Sequence, residues 1–97
     1  MSAYVIADIE VLEPVEYEDY RKLAGPTVAQ FGGRYLVRGG KTEIAEGDWS
    51  PQRFVIVEFP SLEQAQAWYN SPEYSRAKAI RQRTARASVI FAEGLPS

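Results

Sequence analysis

The chain has 97 residues, of which 45% are hydrophobic and 25% charged, with a formal net charge of -2. This length suits one folded soluble domain and is too short for two, so we treat residues 1–97 as a single domain. The net charge gives no general attraction to nucleic acid, and no apolar run approaches the ~20 residues that span a bilayer. We therefore expect a cytoplasmic protein with neither a nucleic-acid nor a membrane partner.

The sequence contains no cysteine and no histidine. Disulfides, an ordinary structural zinc site, a nucleophile activated by histidine and a haem held by a proximal histidine are thereby excluded. Acid–base chemistry would have to use Asp, Glu, Tyr or Lys, with Arg as the group that holds an anion. We expect neither a metal nor an organic cofactor.

The first third of the chain predicts a strand followed by a helix. Apolar and polar residues alternate over Tyr4–Val11, which indicates a strand with one apolar face. Pro14 suits the first turn of the helix that follows, and Gly25-Pro26 predicts a kink or a break within it. Gly32-Gly33 predicts the end of this helix, because glycine readily adopts the left-handed conformation that closes one.

The remaining segments complete the pattern of a small sandwich. Arg34–Arg38 and Arg53–Phe59 predict a hairpin with a long polar loop. Ser61 with Gln64 has the pattern of a capping box, which opens a second helix that restarts at Ser71-Pro72. Ala87–Ala92 predicts a closing strand. The order β-α-β-β-α-β with right-handed crossovers defines a ferredoxin-like α+β sandwich, with both helices on one face of a four-stranded antiparallel sheet in the order fourth-first-third-second.

The two faces of the predicted sheet differ in character. One is apolar and suits packing against the helices, whereas the other is mixed and nothing in the chain is left to cover it. The mixed face comprises Tyr4, Ile6, Asp8, Leu36, Arg38, Phe54, Ile56, Glu58, Ser88 and Ile90. Leaving its apolar members in water would forgo on the order of 10 kcal/mol. The same face of a second copy would cover it, so we predict a homodimer whose two sheets form a barrel-like core.

Two carboxylates on this mixed face are candidate catalytic residues. Asp8 and Glu58 interrupt otherwise apolar strands, and burying them without partners would be costly. In a functional interpretation, one carboxylate is a general base and Arg38, at the Asp8 end of the sheet, binds an anionic or enolate oxygen. Glu58 is expected at the other end, near Tyr4 and Arg34. In the alternative, these groups form interface salt bridges that fix how the subunits dock.

Aromatic residues at helical spacing supply the other candidates. Such a stripe is typical of core packing, but an apolar cleft with a few polar tips between helices and sheet is also the usual form of a small-molecule site. The candidate ligand-binding residues are Tyr4, Tyr20, Arg38, Trp68 and Ser88. Trp49, in a polar loop, is expected to pack on its own domain or on the other subunit. The basic residues of the last helix are expected to complement the acidic first helix.

Gly40-Lys41-Thr42 matches the end of a phosphate-binding loop. Such a loop needs a glycine at the position that Tyr35 occupies here and a helix directly after the threonine. Acidic residues follow instead, and their carboxylates would repel a phosphate. We therefore assign no nucleotide site to this stretch.

Four stretches resemble the family of small bacterial proteins catalogued as domain of unknown function 1330. They are Gly32 to Gly40, Glu46 to Trp49, Val57 to Pro60 and Ala67 to Tyr74, and the likeness extends from Tyr4 to about Gly94. The resemblance implies a dimeric α/β barrel, a superfamily with cofactor-free monooxygenases, an isomerase, haem-degrading enzymes and ligand-sensing domains. The absence of histidine argues against the haem branch. The family implies no catalytic residue.

Together these observations support two hypotheses. The first is a homodimer that binds a small apolar molecule, or one with a carboxylate, and acts on it without metal or organic cofactor as a monooxygenase or isomerase would. The alternative is a non-catalytic structural, ligand-sensing or interaction protein whose mixed sheet face is only the dimer interface. Whether the chain is an enzyme stays open.

Overall fold

The computed structural model describes residues 1–96. Its elements are β1 (Ala3–Val11), α1 (Pro14–Gln30), β2 (Arg34–Arg38), β3 (Arg53–Phe59), α2 (Leu62–Tyr69), α3 (Pro72–Thr84) and β4 (Ala85–Glu93). The strands pair antiparallel in the order β2-β3-β1-β4. This order confirms the predicted ferredoxin-like α+β fold and its strand arrangement. None of the helices in residues 1–96 combines the length and the apolar character needed to cross a membrane.

Helix α1 is one continuous helix, so the predicted break at Gly25-Pro26 does not occur. A proline inside a helix removes one backbone hydrogen bond. The residues on either side of Pro26 are buried in the core, namely Ala24, Thr27 and Val28. Packing of this kind supplies most of the stability of a helix in a protein.

The end of α1 is formed as predicted. Gly32 has a φ of 78°, and its N–H donates to the Ala29 carbonyl while the N–H of Gly33 donates to the Val28 carbonyl. This pair of hydrogen bonds is the Schellman closure of a helix, and it requires the left-handed conformation at Gly32.

Aromatic side chains from α2 and α3 form the centre of the core on the helix side of the sheet. The ring of Trp68 lies 5.3 Å from that of Phe59 and 4.0 Å from that of Tyr74, measured between centroids. Ser71 joins the two helices, because its hydroxyl accepts from the Tyr74 N–H and donates to the Trp68 carbonyl. These two hydrogen bonds fix the start of α3 beside the aromatic core.

A β-bulge at Leu36 changes which side chains of β2 face the helices. Tyr35 pairs with Val57, but Val37 then pairs with Ile56 and Arg38 with Val55. One extra residue shifts the alternation of the strand by one position. Val37 therefore lies on the uncovered face and Arg38 on the helix side, which is the reverse of the predicted placement.

The face of the sheet opposite the helices, here called the open face, has an apolar row at its centre. Ile6 pairs with Ile56 on one side and with Ile90 on the other, and Ile56 pairs with Val37. These four residues, the apolar row, cross all four strands. Ile90 is 58% exposed. The mixed character predicted for this face is confirmed, with Val37 in place of Arg38.

Gly33→Ala should lower the free energy of unfolding by about 1–3 kcal/mol, because overpacking a core has this cost. A Cβ at Gly33 would lie 2.6 Å from Cε1 of Phe59 and 2.9 Å from Cγ1 of Val28. Gly40→Ala is the control, since no atom lies within 4 Å of a Cβ there, and its effect should be within about 0.5 kcal/mol. Urea unfolding measures both variants, and equal effects would contradict this account of Gly33.

Candidate functional site

The predicted site residues lie in three separate places. Asp8 and Ser88 pair across β1 and β4 on the open face. Tyr4 and Glu58 pair at the other end of the same face, four residues and about 13 Å further along β1. Tyr20, Arg38 and Trp68 lie on the helix side. No single pocket therefore contains all the predicted residues, and Asp8 does not face Arg38.

Asp8 holds the segment between β2 and β3 against the open face. Its Oδ2 accepts a hydrogen bond of 2.9 Å from the indole Nε1 of Trp49, and its Oδ1 accepts one of 2.9 Å from the backbone N–H of Gln52. The Trp49 ring also packs edge-on against Phe54, with centroids 5.8 Å apart. Trp49 was expected to pack on its own domain or on the other subunit; it contacts Asp8 and Phe54 of its own domain and stays 62% exposed.

A small cleft opens beside this contact. It has a volume of about 150 Å³ and is lined by Ile6, Asp8, Trp49, Phe54, Ser88 and Ile90. Most of its lining is apolar, and Asp8 and Ser88 are its two polar side chains. Because the cleft belongs to the open face, a protein docked on that face would close it.

Glu58 lies among hydrogen-bond donors at the far end of the open face. Arg34 Nε donates to its Oε1 over 2.7 Å, which confirms the partner expected from the sequence. This hydrogen bond holds the pKa of Glu58 below its ordinary value, and the side chains of Ser2 and Tyr4 act in the same direction. A carboxylate with a lowered pKa is a weak base, so the surroundings of Glu58 suit a structural ion pair better than proton transfer.

The helix side has a different chemistry. The hydroxyls of Tyr20 and Tyr74 are 2.9 Å apart and joined by a hydrogen bond. Trp68 is buried, and its indole N–H donates to Oγ1 of Thr27, which donates in turn to the Ala24 carbonyl. Trp68 therefore has no free polar group and supports the tyrosines from inside the core.

Two arginines that the sequence did not single out lie beside these tyrosines. Arg81 is only 5% exposed, and Arg53 has a buried Nε with no hydrogen-bond partner within the described part of the chain. We call the group formed by these two arginines and the neighbouring tyrosines the arginine–tyrosine cluster: Tyr17, Tyr20, Tyr35, Arg53, Tyr74 and Arg81. It joins α1, β2, β3 and α3.

Burial keeps three tyrosines of the cluster, Tyr17, Tyr20 and Tyr35, protonated by raising the pKa of each. Burial raises the pKa of Tyr17, and the nearby charge of Arg53 opposes this. Burial also raises the pKa of Tyr20, with Tyr74 adding to the shift. Burial raises the pKa of Tyr35 against the charge of Arg38. Each of these phenols keeps its proton at neutral pH and can donate it to an acceptor.

Arg38 lies at the exposed edge of the cluster. Its guanidinium carbon is 4.2 Å from the centroid of the Tyr35 ring, and its Nη2 lies 3.4 Å from the Arg21 carbonyl of α1. The side chain thus spans from β2 to α1 above Tyr35.

Sequence signals for the two missed arginines exist. Arg81 follows Tyr74 and Ala77 on the buried stripe of α3, and Arg53 has the same strand parity as the core residues Val55 and Val57. A charged residue at a core position is the unusual feature in both cases.

Within residues 1–96 no group of three or more Asp and Glu side chains could hold a metal ion.

The class of protein follows from the fold, a ferredoxin-like sandwich whose helices cover one sheet face. The expectation that nothing in the chain covers the other face is wrong in part, because the segment with Trp49 and Gln52 packs over Asp8 and Phe54. The chain belongs to the DUF1330 family, described as a domain of unknown function, which matches residues 2–95. The resemblance seen in the sequence is thereby confirmed. No curated protein matches the chain.

Solved structures share the fold at low sequence identity. A protein of unknown function from Rhodopseudomonas palustris has a TM-score of 0.77 and 19% identity over 99% of this chain and 84% of that one. A dimeric ferredoxin-like protein of unknown function from Jannaschia sp. has a TM-score of 0.72 and 13% identity, covering 97% and 100%. SnoaB, a cofactor-independent oxygenase from Streptomyces nogalater, has a TM-score of 0.65 and 10% identity, covering 99% and 95%. Likeness at this level shows the fold alone.

Asp8→Ala should release the segment between β2 and β3, because it removes the acceptor of two charge-assisted hydrogen bonds. Lys41 in this segment is exposed, so trypsin should cleave there several-fold faster in the variant. Ser88→Ala is the matched control, since no hydrogen bond among residues 1–96 joins Ser88 to the segment. An unchanged cleavage rate in Asp8→Ala would show that other contacts hold it.

Glu58→Gln should change how stability depends on pH. The pKa of Glu58 is lowered in the folded protein. Its ionised carboxylate therefore stabilises the fold at pH values above 4.5, the ordinary pKa of this group. This contribution disappears as pH falls through the lower, folded-state pKa. The stability difference between wild type and Glu58→Gln should therefore be largest at neutral pH and shrink in acid. Urea unfolding across pH measures it, with the exposed Glu46→Gln as control; a pH-independent difference would contradict the role of the charge.

Proposed function

We propose that the protein is a homodimer that binds a small, largely apolar molecule on the helix side of each protomer, at the arginine–tyrosine cluster. The observation that carries the ligand site is the buried Arg81, which lies among aromatic rings without a carboxylate partner in residues 1–96, beside the orphaned, buried Nε of Arg53. Natural cores rarely contain such groups unless a function requires them. The open face is then the interface between the two copies.

The apolar row supports the homodimer. Ile90 is 58% exposed and the other three members are partly exposed, so docking would remove apolar surface from water, which is favourable by about 25 cal/mol per Å². The row runs across all four strands, so two copies related by a twofold axis can place row against row. The charged residues Asp8 and Glu58 lie on either side of it, where an interface has its polar rim. The dimeric ferredoxin-like protein from Jannaschia sp. is consistent with this assembly.

The chemistry of the cluster suits a small molecule with one polar end. Tyrosine rings offer flat apolar surface, and their protonated hydroxyls offer hydrogen-bond donors beside it. Both features occur on elements of the sandwich, which hold them more rigidly than a loop would. Tyr20 and Arg38, two of the ligand-binding residues proposed from the sequence, belong to this site or border it.

We also propose that any reaction on this molecule proceeds without metal or organic cofactor. The fold is shared with SnoaB, a cofactor-independent oxygenase, and the cluster offers phenol and guanidinium groups as donors to a developing oxyanion. Asp8 and Glu58, our acid–base candidates from the sequence, lie across the sheet from the cluster, so we propose this role for them only towards a molecule bound on the open face. A cytoplasmic location stays a prediction.

One observation favours a second candidate function, a non-catalytic interaction or structural protein. Asp8 and Glu58 both take part in contacts that hold the fold, Asp8 with the segment around Trp49 and Glu58 with Arg34. In that case the open face serves only to dock the partner copy. The probe-binding experiment described below for Tyr20→Ala tests this candidate, which requires that no small molecule binds at the cluster.

Ile90→Glu should convert the dimer into a monomer, because it places a charge in the apolar row of the proposed interface. Native mass spectrometry or sedimentation measures the subunit number. Val15→Glu is the matched control, since Val15 is an exposed apolar residue on α1, away from the open face. A monomeric wild type, or a dimer that survives Ile90→Glu, would contradict the proposed interface.

Tyr20→Ala should weaken the binding of a small aromatic probe several-fold, because it removes one ring and one hydroxyl of the cluster. Benzoate and benzyl alcohol are the probes, and ligand-observed NMR measures their binding. Tyr4→Ala is the control, since it removes an aromatic residue from the open face. Failure of both probes to bind wild type, or equal losses in the two variants, would contradict a ligand site at the cluster and favour the non-catalytic alternative.

A further inference from the structure

We propose that the molecule bound at the arginine–tyrosine cluster is a monoanionic carboxylate with an apolar body, and that Arg81 and Arg53 hold its carboxylate. This inference rests on the proposed function, because it assigns the charge of the ligand at the same site. It goes further in naming the two residues that select the ligand.

The cluster has positive charge with no internal compensation. The ion pairs within residues 1–96 use Arg21, Arg34, Lys41 and Arg83 as their cations. Arg38, Arg53 and Arg81 have no carboxylate partner in that part of the chain. Of these three, Arg81 is the buried one, and arginine keeps its charge in a protein under all ordinary conditions. Its hydrogen bond with the neutral Tyr74 supplies no counter-charge, and a buried charge is costly unless it is paired. A bound anion would supply the missing partner.

The arrangement of donors favours a carboxylate. A guanidinium group presents its N–H donors in a planar fork that matches the two oxygens of a carboxylate. The Nε of Arg53 is buried and has no partner among the described residues, so one donor of this kind is left over. The Tyr20 and Tyr74 hydroxyls share one hydrogen bond, which uses one of their two protons and leaves the other for an acceptor.

The surroundings favour an anion of low charge with an apolar remainder. Rings of Tyr17 and Tyr20 lie 5.2 Å apart, and those of Tyr20 and Tyr74 lie 6.3 Å apart, between centroids. Tyr17 and Tyr74 are buried, but Tyr20 is only partly buried, so its ring can contact an aromatic or aliphatic body, whereas a doubly charged, strongly hydrated phosphate would leave it without a partner. Arg38 at the exposed edge would meet the incoming anion before it reaches Arg81.

Binding of benzoate, benzamide and inorganic phosphate to the purified dimer tests this inference, with ligand-observed NMR as the measurement. Benzamide has the shape of benzoate without its charge. We expect benzoate to bind at least tenfold more tightly than benzamide, and phosphate to bind more weakly than benzoate. In Arg81→Met the affinity for benzoate should fall at least tenfold while that for benzamide changes little. Arg83→Met, two residues along the same helix and exposed, should leave both unchanged.

A thermal melt of the same variants separates ligand binding from a structural role. Without ligand, Arg81→Met should melt no lower than wild type, because it replaces an unpaired buried charge with an apolar chain of similar length. A lower melting temperature would show that Arg81 stabilises the fold through Tyr74, and would overturn its assignment. Arg53→Met provides a second test of benzoate binding should Arg81→Met fail to fold.

The outcomes also separate this inference from the proposed function. If benzamide binds as tightly as benzoate and both depend on Tyr20, the cluster binds small molecules but the carboxylate assignment is wrong. If phosphate binds best with the same dependence on Arg81, the site selects a different anion and the inference is overturned. If none of the three probes binds, the proposed ligand site itself fails.

Discussion

Coverage of the sheet on one face alone is the constraint on which the rest of this structure depends. All three helices pack on the same side, so the alternating residues of each strand divide between an enclosed space and an open one. Val5, Val57 and Phe59 enter the core, while Ile6, Ile56 and Ile90 form the apolar row. Polar residues therefore have different surroundings on the two faces. On the open face Asp8 and Glu58 lie beside hydrogen-bond donors, whereas on the helix side the polar groups lie among aromatic rings.

The alternation of side chains along each strand predicts this division correctly, except where a β-bulge interrupts the two-residue period. The strands, their order, the helix caps at Ser61 and Ser71 and the Glu58–Arg34 contact could all be read from the sequence, because each depends on local patterns or on simple parity. The bulge at Leu36 could not, since one extra residue leaves no signature in a five-residue strand. The bulge places Val37 and Arg38 on the faces opposite to those predicted. Arg38 and Asp8 therefore lie on different sides of the sheet. The uninterrupted α1 likewise reflects tertiary packing that overrides the local effect of Pro26.

The candidate site was predictable only in part for a related reason. Asp8 was recognised as a charge in an apolar strand, but its partners Trp49 and Gln52 come from a polar segment whose path no periodicity predicts. Arg81 lies on the buried stripe of α3, yet the abundance of basic residues on that helix favoured the interpretation that they complement the acidic first helix. Only the burial of Arg81, and the lack of a carboxylate beside it among residues 1–96, distinguishes it from Arg83, which pairs with Glu16.

The contrast between the two faces is the physical reason for placing the proposed ligand at the arginine–tyrosine cluster. On the open face each carboxylate has its hydrogen-bond donors, so the contacts of Asp8 and Glu58 are explained by the fold. On the helix side the balance differs, because Arg81 is buried without a carboxylate partner among residues 1–96, and such a charge costs desolvation free energy that no ion pair offsets. The buried Nε of Arg53 likewise has no hydrogen-bond partner among these residues. A bound anion would offset both costs, which is why our proposal assigns the chemistry of this protein to the cluster and not to the more obvious carboxylates.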